Sequence, residues 1–445
     1  MIRISGAEYA RRRQALMAQM PPGSLALLPA APLYLRNRDV EHDYRQDSDF
    51  LYLSGFTEPE ALIALLPGRA EGEYVLFCRE RDPEREIWDG RRAGQQGAVA
   101  QFGADQSFAF AGLDQQLPEL MAGRTTVYYA IGGQPEFDRQ LLGWLRTVRG
   151  KARQGVQVPE VFIDLTALLH EMRLRKSPEE LAVMRYAAGV SARAHIRAMA
   201  ACQPGLHEYH LEAELDYVFR QGGARRPAYG SIVGSGDSAC ILHYRENDAR
   251  LEVGALVLID AGCEIDGYAS DITRTFPVTG QFSPEQQAIY ELVLAANLEA
   301  MRHIAPGRSW TEAHDASVRV ITAGLLALGL LEGELEALIA SEACKPFYMH
   351  KVGHWLGMDV HDVGDYRVNG QWRLLEPGMV LTVEPGIYIA PDEQRVPPQW
   401  RGIGVRIEDD VVVTAEGCEI LTSAVPKTVA EIGALVGSAS HGREV

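Results

Sequence analysis

Cysteine, positive charge and long apolar runs are all scarce in this chain of 445 residues. Its six cysteines include no CxxC pair, a usage typical of reduced intracellular proteins rather than of disulfide-stabilised secreted domains. The longest apolar run, residues 320–331, is too short to cross a bilayer. Asp and Glu number 60 against 43 Lys and Arg, so the net charge is −17. This excess of acid argues against nucleic acid or an anionic membrane as a partner.

The opening residues also lack the apolar core of a secretory signal peptide, so we expect a cytoplasmic protein. Apolar residues make up 47% of the chain and charged residues 23%, which is the balance of an ordinary globular protein. Because the length exceeds that of one typical domain, two domains are expected.

Residues 1–172 predict a small α/β domain in which short strands alternate with helices. The predicted strands are Ser24–Leu28, Phe50–Leu53, Ala61–Leu66, Tyr74–Cys78 and Thr126–Ala130. The predicted helices are Gly6–Gln19, Phe110–Met121 and Pro135–Val148. The acids and histidines of this part have no spacing typical of ligands, so the sequence predicts no site there.

Residues 173–436 predict a second domain in which one helical pattern occurs twice. Ser177 and Ser283 each precede a proline and are followed, three residues on, by Glu or Gln. A serine N-cap, a proline in the first turn and an acid or amide at the third helical position are typical of a helix start. The two helices are predicted to end before Pro204 and Pro306.

A further helix follows each of these, at about 207–221 and about 311–328, and strand-like runs come next. This half therefore reads as helix–helix–strand–strand twice, over residues 177–276 and 283–414. Two such units closing face to face would place their acids around one central pocket. The polar residues 437–445 predict a disordered tail.

Each unit carries two acids with the same spacing. Asp260 lies six residues after a glycine and two before another, and Asp271 follows a later glycine by four. Glu384 and Glu408 repeat these spacings in the second unit. The apolar runs beside these acids read as buried strands. A carboxylate there is destabilising unless a cation or hydrogen bonds compensate it, so four at matched positions predict a metal centre.

A nitrogen ligand is available nearby, because His350, His354 and His361 fall within twelve residues. An oxygen-rich site with one imidazole suits Mn²⁺, Fe²⁺, Co²⁺ or Zn²⁺ better than copper or a structural zinc. Two such ions lower the pKa of a bridging water and stabilise both sides of a displacement. The predicted chemistry is hydrolysis.

Other polar residues near these motifs have less specific interpretations. Asp362, Asp409 and Asp410 flank the motifs and are expected to face solvent or to lie behind the ligands. His243 follows a glycine-rich turn, and the residues around it leave a structural and a functional role equally open.

Longer motifs in both halves carry a family resemblance. They occupy residues 44–60, 86–92, 259–262, 271–276, 354–362, 383–386 and 402–410. In these residues the chain resembles the creatinase/methionine-aminopeptidase-like metallopeptidases of the pita-bread fold, and within them the bacterial Xaa-Pro aminopeptidases. The resemblance covers nearly the whole chain. It implies a creatinase-like α/β N-terminal domain, for oligomerisation and substrate access, and a duplicated pita-bread catalytic domain.

The resemblance also implies a dinuclear metal site, usually loaded with Mn²⁺, whose five ligand positions are all matched here. Asp271 and Glu408 would bridge the two ions. Asp260 would complete the coordination of one ion, while His354 and Glu384 would complete that of the other. A bridging hydroxide would then attack the carbonyl before a proline, and Glu384 would carry its proton towards the leaving nitrogen.

Further residues match positions that act on the substrate or support the ligands. By resemblance, His243 and His361 contact the substrate and stabilise the tetrahedral intermediate. His350 lines the pocket, and Arg406 holds a carboxylate in place. Residues 351–353, between the two histidines, vary within the family and are not expected to touch the ligands.

The implied activity is release of the first residue from peptides with proline second. Because the proline ring fixes φ and removes the amide hydrogen, such bonds need a dedicated pocket. Homo-oligomers, dimers or tetramers, are implied as well, with Trp88 placed to reach a neighbour's active site.

Several members of the same fold remain as alternatives. Prolidase shares the fold and the ligands but cleaves only Xaa-Pro dipeptides, and the N-terminal motifs favour the aminopeptidase over it. Methionine aminopeptidase is disfavoured because it lacks the long N-terminal domain. Creatinase and non-enzymatic, partner-binding proteins of this fold are disfavoured because they lack the full ligand set.

Overall fold

The computed structural model describes residues 2–439, which divide into two compact units. One unit runs from Ile4 to Met172, and the other takes in the described chain from Arg173 onward.

The N-terminal unit is built on one six-stranded mixed sheet. In spatial order its strands are Gln106–Ala109, Tyr74–Cys78, Leu62–Leu65, Ser24–Pro29, Thr126–Tyr128 and Val161–Ile163, with a separate hairpin of Leu35–Asn37 and Val40–Glu41. Its helices are Gly6–Met17, Ser48–Ser54, Pro83–Asp89, Gly94–Phe102, Leu113–Met121, Pro135–Gly150 and Thr166–Leu174. Leu25, Val75 and Val127 of the sheet share one core with Leu117 and Leu141 of two helices.

The prediction of a strand at Phe50–Leu53 is wrong, because these residues belong to the helix Ser48–Ser54. Asp47 accepts a hydrogen bond from the Phe50 N–H at the start, and Gly55 ends the helix at φ 65°. All four apolar residues are 9% exposed or less. An apolar run that is buried all round has no periodicity that separates strand from helix, so only the caps could have decided. The other elements predicted for this unit are confirmed, with ends shifted by a few residues.

The C-terminal unit confirms the predicted repetition of its elements. Its helices are Pro178–Ala201, Glu208–Gln221, Pro284–Arg302, Trp310–Ala327, Leu335–Ala340 and Val429–Leu435. Its strands are Arg226–Pro227, Ile232–Ser235, Leu256–Asp260, Cys263–Ile265, Tyr268–Ala269, Thr273–Pro277, Arg367–Val368, Gln371–Trp372, Val380–Val383, Gly386–Ile389, Ile403–Arg406, Asp409–Val413 and Cys418–Ile420. Ser177 and Ser283 both form complete capping boxes.

In each half of this unit, the strand that leads to the first acid pairs antiparallel with the strand that follows the second. Leu256–Asp260 pairs with Thr273–Pro277, and Val380–Val383 pairs with Asp409–Val413. Antiparallel neighbours place the end of one strand beside the start of the other. The two acids of each half therefore lie at the same edge of their strand pair.

The first helix of each half holds the acid-bearing backbone from behind. His195 donates its Nε2–H to the Ala261 carbonyl at 2.9 Å, and burial lowers its pKa to about 4, so the ring is neutral. On the matching helix of the second half, Asn297 donates to the carbonyls of Val383 and Ile407 at 3.0 and 3.2 Å.

Glycine is required just beyond the first acid, where two backbone segments approach closely. A Cβ at Gly262 would lie 1.7 Å from the Ser270 carbonyl oxygen. Any side chain there would push apart the segments that carry Asp260 and Asp271, which explains the glycine two residues after the acid.

No helix within residues 2–439 has the length and apolar character that a membrane crossing requires. Of the predicted tail, residues 440–445 lie outside the described residues. Gly437 donates its backbone N–H to the Met199 carbonyl at 3.2 Å.

Candidate metal centre

Both halves of the C-terminal unit contribute to a cavity of about 490 Å³. It is lined by every residue that the sequence singled out for the site, namely Asp260, Asp271, Glu384, Glu408, His243, His350, His354, His361 and Arg406. Residues separated by more than 160 positions are therefore brought to one place.

The tightest group in this cavity consists of Asp271, His354 and Glu408. Their potential ligand atoms all lie within 4.8 Å of one another. His354 Nε2 is 3.5 Å from Asp271 Oδ2 and 3.7 Å from Glu384 Oε1. Three carboxylates thus surround one imidazole nitrogen.

Asp260 joins this group through a tyrosine and an arginine. The Tyr229 hydroxyl contacts Asp260 Oδ1 at 2.6 Å and also contacts Asp271 Oδ1. Arg406 donates to Asp260 Oδ2 at 2.6 Å, which fixes the other oxygen. Tyr229 was missed by sequence reasoning, because nothing in its spacing relates it to the acids.

The His354 ring is oriented as in a metal ligand. Its Nδ1 lies 2.9 Å from the Trp355 carbonyl oxygen, which can only accept, so Nδ1 carries a hydrogen. Its Nε2 is therefore the atom that faces the acids. A second ring nitrogen held by a carbonyl is the usual arrangement for a metal-binding histidine.

His350 is a neutral wall of the cavity. Its Nδ1 donates to the Lys351 carbonyl at 2.8 Å, and its Nε2 accepts from the Tyr388 hydroxyl at 2.9 Å. Burial, with the positive charge of Arg406, lowers its pKa to about 4. Arg406 in turn donates to the Tyr388 hydroxyl at 2.9 Å, so this wall is hydrogen-bonded through to Asp260.

His243 and His361 occupy the exposed side of the cavity. The His361 ring centroid is 4.3 Å from that of His354. Partial burial lowers the pKa of His361. Both side chains can therefore meet a molecule that enters from solvent.

The carboxylates of the cavity repel one another. Burial raises the pKa of Glu408 well above its ordinary value, and the charges of Asp271 and Glu384 add to this effect. Burial also raises the pKa of Glu384 to about 7 and raises that of Asp260.

The acid nearest the imidazole behaves differently. Burial would raise the pKa of Asp271, but the hydrogen bond and charge of His354 lower it on balance. Although burial opposes protonation of His354, its hydrogen bond to Asp271 and the charge of Glu384 raise its pKa to about 9. Four carboxylates against one imidazole and one guanidinium leave negative charge that the protein does not balance, and this donor set fits hard divalent cations.

The three flanking acids do not face solvent, so that part of their interpretation is wrong. Asp362, Asp409 and Asp410 are 6%, 0% and 1% exposed. Asp410 accepts the backbone N–H of Asp271 at 3.0 Å and thus lies directly behind a predicted ligand.

The other two acids are compensated by cations. Asp409 accepts from Arg274 at 2.8 Å and from Lys427 at 2.7 Å. Asp362 is bound by the side chains of a further arginine and lysine, Arg173 and Lys176.

Two family models match the chain. Metallopeptidase family M24 matches residues 182–415, and the N-terminal domain of aminopeptidase P matches residues 9–128.

Individual relatives extend the match over the full length. The chain is 51% identical over 440 residues to the Xaa-Pro aminopeptidase of Escherichia coli K12, covering 99% of each chain. The structure of aminopeptidase PepP from Pseudomonas aeruginosa matches with a TM-score of 0.98 at 70% identity, over 99% of this chain and 100% of that one. Zinc-substituted E. coli aminopeptidase P in complex with product matches with a TM-score of 0.95 at 50% identity, over 100% of both chains.

Proposed function

The chain belongs to metallopeptidase family M24, and from this membership we propose that it acts as an Xaa-Pro aminopeptidase, releasing the first residue of peptides with proline second. The observation that carries this function is the cavity in which four carboxylates and His354 converge. Prolidase is not favoured, because the N-terminal half matches the N-terminal domain of aminopeptidase P.

Two divalent ions, Mn²⁺ in the cell, are proposed at this centre, with Asp260, Asp271, His354, Glu384 and Glu408 as ligands. When bound, such ions polarise a carbonyl and lower the pKa of a water. Oxygen donors with one imidazole suit Mn²⁺, and the same donors accept Zn²⁺.

The chain's own residues would move the proton and stabilise charge. Glu384, on the cavity wall 3.7 Å from His354 Nε2, is proposed to take the proton of the attacking water and to deliver it to the proline nitrogen. His243 and His361, on the exposed side, are proposed to hydrogen-bond the carbonyl oxygen as its negative charge develops.

Arg406 and His350 are proposed to act by holding geometry. Arg406 fixes one oxygen of Asp260, and the Tyr229 hydroxyl contacts the other. His350 is held at both ring nitrogens and keeps its wall in one orientation.

We further propose a cytoplasmic homo-oligomer. All six cysteines are unpaired, as in a reducing compartment. Ile87 and Trp88 of the N-terminal unit are 81% and 84% exposed, and large exposed apolar side chains are typical of protein contact surfaces. Light scattering of the purified protein and cell fractionation with thiol titration test the two proposals.

The function is tested by stripping the purified protein with a chelator, restoring Mn²⁺ and assaying Xaa-Pro-Xaa tripeptides beside Xaa-Pro dipeptides. Restored release of the first residue from tripeptides is expected, with no cleavage of a matched Xaa-Ala-Xaa control. Cleavage of dipeptides alone would indicate a prolidase. No restored cleavage, together with failure to bind Mn²⁺ in mass-spectrometric metal analysis, would favour a partner-binding protein.

A further inference from the structure

The metal-centre cavity has a closed end and an open mouth. At the closed end Asp271 and Glu408 are 4% and 2% exposed. The mouth is formed by the exposed residues of the same cavity, His243, Arg245, Lys351 and His361. A peptide can therefore reach the acids only from the side of these four residues.

Two of the mouth residues, Arg245 and Lys351, carry a positive charge that forms no ion pair with any described carboxylate. Within residues 2–439, no carboxylate oxygen lies within 4.0 Å of the Arg245 guanidinium or of the Lys351 amino group. Lys351 also lines a neighbouring cavity with Asp315 and Glu342, but both acids lie beyond that distance. The remaining guanidinium of the metal-centre cavity, that of Arg406, is buried and bound to Asp260.

The proposed reaction fixes the direction in which a peptide occupies this cavity. An enzyme that removes one residue must place that residue at the closed end, so the chain beyond the proline leaves through the mouth. An extended residue spans about 3.3–3.6 Å, so a carboxylate two residues after the scissile bond lies about 7 Å from it. That distance moves the carboxylate away from the acids and towards the mouth.

We propose that Arg245 and Lys351 form a subsite at the mouth that binds a carboxylate following the proline of the substrate. This inference rests on the proposed function and adds a preference for short peptides with a free C-terminus or for peptides with an acidic third residue. Arginine suits this role because its planar fork can donate two hydrogen bonds to one carboxylate. Lysine adds a mobile point charge.

The subsite would also explain a preference for substrates with a carboxylate after the proline, which the metal centre alone would not give. Two divalent ions would offset the charge of the four acids at the closed end, so a preference for an anionic substrate would have to come from the cations at the mouth. Lys351, in the segment between His350 and His354, is placed for this role because His350 donates to its carbonyl at 2.8 Å and its side chain lines the cavity.

Four peptides test the proposal on the Mn²⁺-loaded full chain. Xaa-Pro-Ala with a free carboxylate is compared with its carboxamide, and the carboxamide of Xaa-Pro-Glu with that of Xaa-Pro-Gln. The carboxylate-bearing member of a pair is expected to have a KM about three- to tenfold lower, as for one or two exposed ion pairs. This advantage should shrink at 1 M salt, where the charges are screened.

Arg245→Gln and Lys351→Gln, singly and together, are expected to bring the KM ratio of acid to amide close to one. Lys151→Gln, which changes a partly exposed lysine of the other unit that pairs with Glu119, is the control and should keep the ratio of the unmodified protein. Metal content and Tm of each variant show whether the centre and the fold are intact.

The outcomes show whether the recognised carboxylate is the C-terminus or a side chain. They also distinguish failure of the subsite from failure of the proposed function. An advantage in the first pair supports recognition of the free C-terminus, and one in the second pair supports recognition of an acidic side chain. Equal KM values in both pairs, or a ratio that survives in the double variant, would overturn the subsite. Failure to cleave any of the four peptides would instead contradict the proposed function.

Discussion

Glu408 and Asp409 are consecutive buried acids with opposite surroundings. Burial and the charges of Asp271 and Glu384 raise the pKa of Glu408 well above its ordinary value. Arg274 and Lys427 overcome the effect of burial on Asp409 and lower its pKa to about 2. Successive side chains of extended backbone point to opposite sides, so one step along the chain leads from the cavity to a closed ion-pair network.

Asp362 resembles Asp409, because it is buried against two cations, while its neighbour His361 lies exposed at the cavity. Burial of an acid is therefore common to both regions and does not identify a site. The site is the region where acids outnumber the cations that bind them, since Arg406 pairs with Asp260 while no Lys or Arg pairs with Glu408 within the described residues. Four experiments test this distinction.

Replacing the cavity acid has the largest expected effect. Glu408→Gln should lower kcat/KM with Mn²⁺ by about a thousandfold or more, because a proposed ligand of both ions is lost. The Tm of the metal-free protein should stay the same or rise, since the neutral amide resembles the protonated acid and removes the buried negative charge. If the metal-free variant melted many degrees below the metal-free unmodified protein, Glu408 would be a stabilising acid like Asp409, and the contrast between the two would be wrong.

Replacing its neighbour should act on stability instead. Asp409→Asn leaves the buried Arg274 and the partly buried Lys427 without their counter-charge, and we expect a loss of about 3–5 kcal/mol in the free energy of unfolding. Urea unfolding of the metal-free protein measures this loss. The folded fraction should still bind Mn²⁺, so a variant that loses the metal but keeps its stability would reverse the assignment of the two acids.

Removing one hydroxyl from the cavity should give a smaller effect. Tyr229→Phe deletes the group that contacts both Asp260 and Asp271, and Mn²⁺ affinity should fall about 10- to 100-fold. Calorimetric titration measures this change. Tyr209→Phe, at a half-exposed position outside the cavity, serves as the control, and equal affinity in the two variants would exclude a positioning role for Tyr229.

The smallest expected effect is the change in stability of the metal-free protein with pH, and its direction follows from the pKa shifts. In metal-free protein the pKa of Glu384 is raised to about 7 and that of His354 to about 9. Each raised pKa gives stability that is present below the unfolded value and is lost as the pH rises through the folded value. Asp409, with a pKa of about 2, contributes equally across this range.

Between pH 5 and 9, the Tm of metal-free protein should therefore fall by a few degrees. The gap between Mn²⁺-loaded and metal-free Tm should widen, because fewer protons compete for the ligands. Melting curves with Mn²⁺ and with chelator check this. A gap that narrows with pH would show that the cavity acids are not the groups that bind the ion.

Local signals in the sequence were sufficient for much of the fold. Ser177 and Ser283 predict the starts of their helices, because a capping box depends only on two residues three positions apart. The matched spacings of the acids predicted two repeated units whose acids share one pocket, and the structure adds that antiparallel strand pairs bring the two acids of each unit to one edge. The segment Phe50–Leu53 was assigned wrongly because its own residues carry no periodicity.

Contacts outside the repeated motifs could not be foreseen. Arg274 and Asp409 are 135 positions apart, and Lys176 and Asp362 are 186 apart. No spacing rule connects such pairs, so the sequence could not show which buried acids were compensated. Tyr229 was missed for the same reason.

The division of the four carboxylates between two repeated units has a consequence for the origin of the chain. A gene encoding one unit would have given a protein with two of the four acids, so a functional ancestor would have needed two identical copies, with the active site on the axis that related them. Joining the copies in one polypeptide would have freed them to diverge. The first unit carries aspartate at both positions, whereas the second carries glutamate at both and also carries His354, so the two halves of the proposed centre offer different donors.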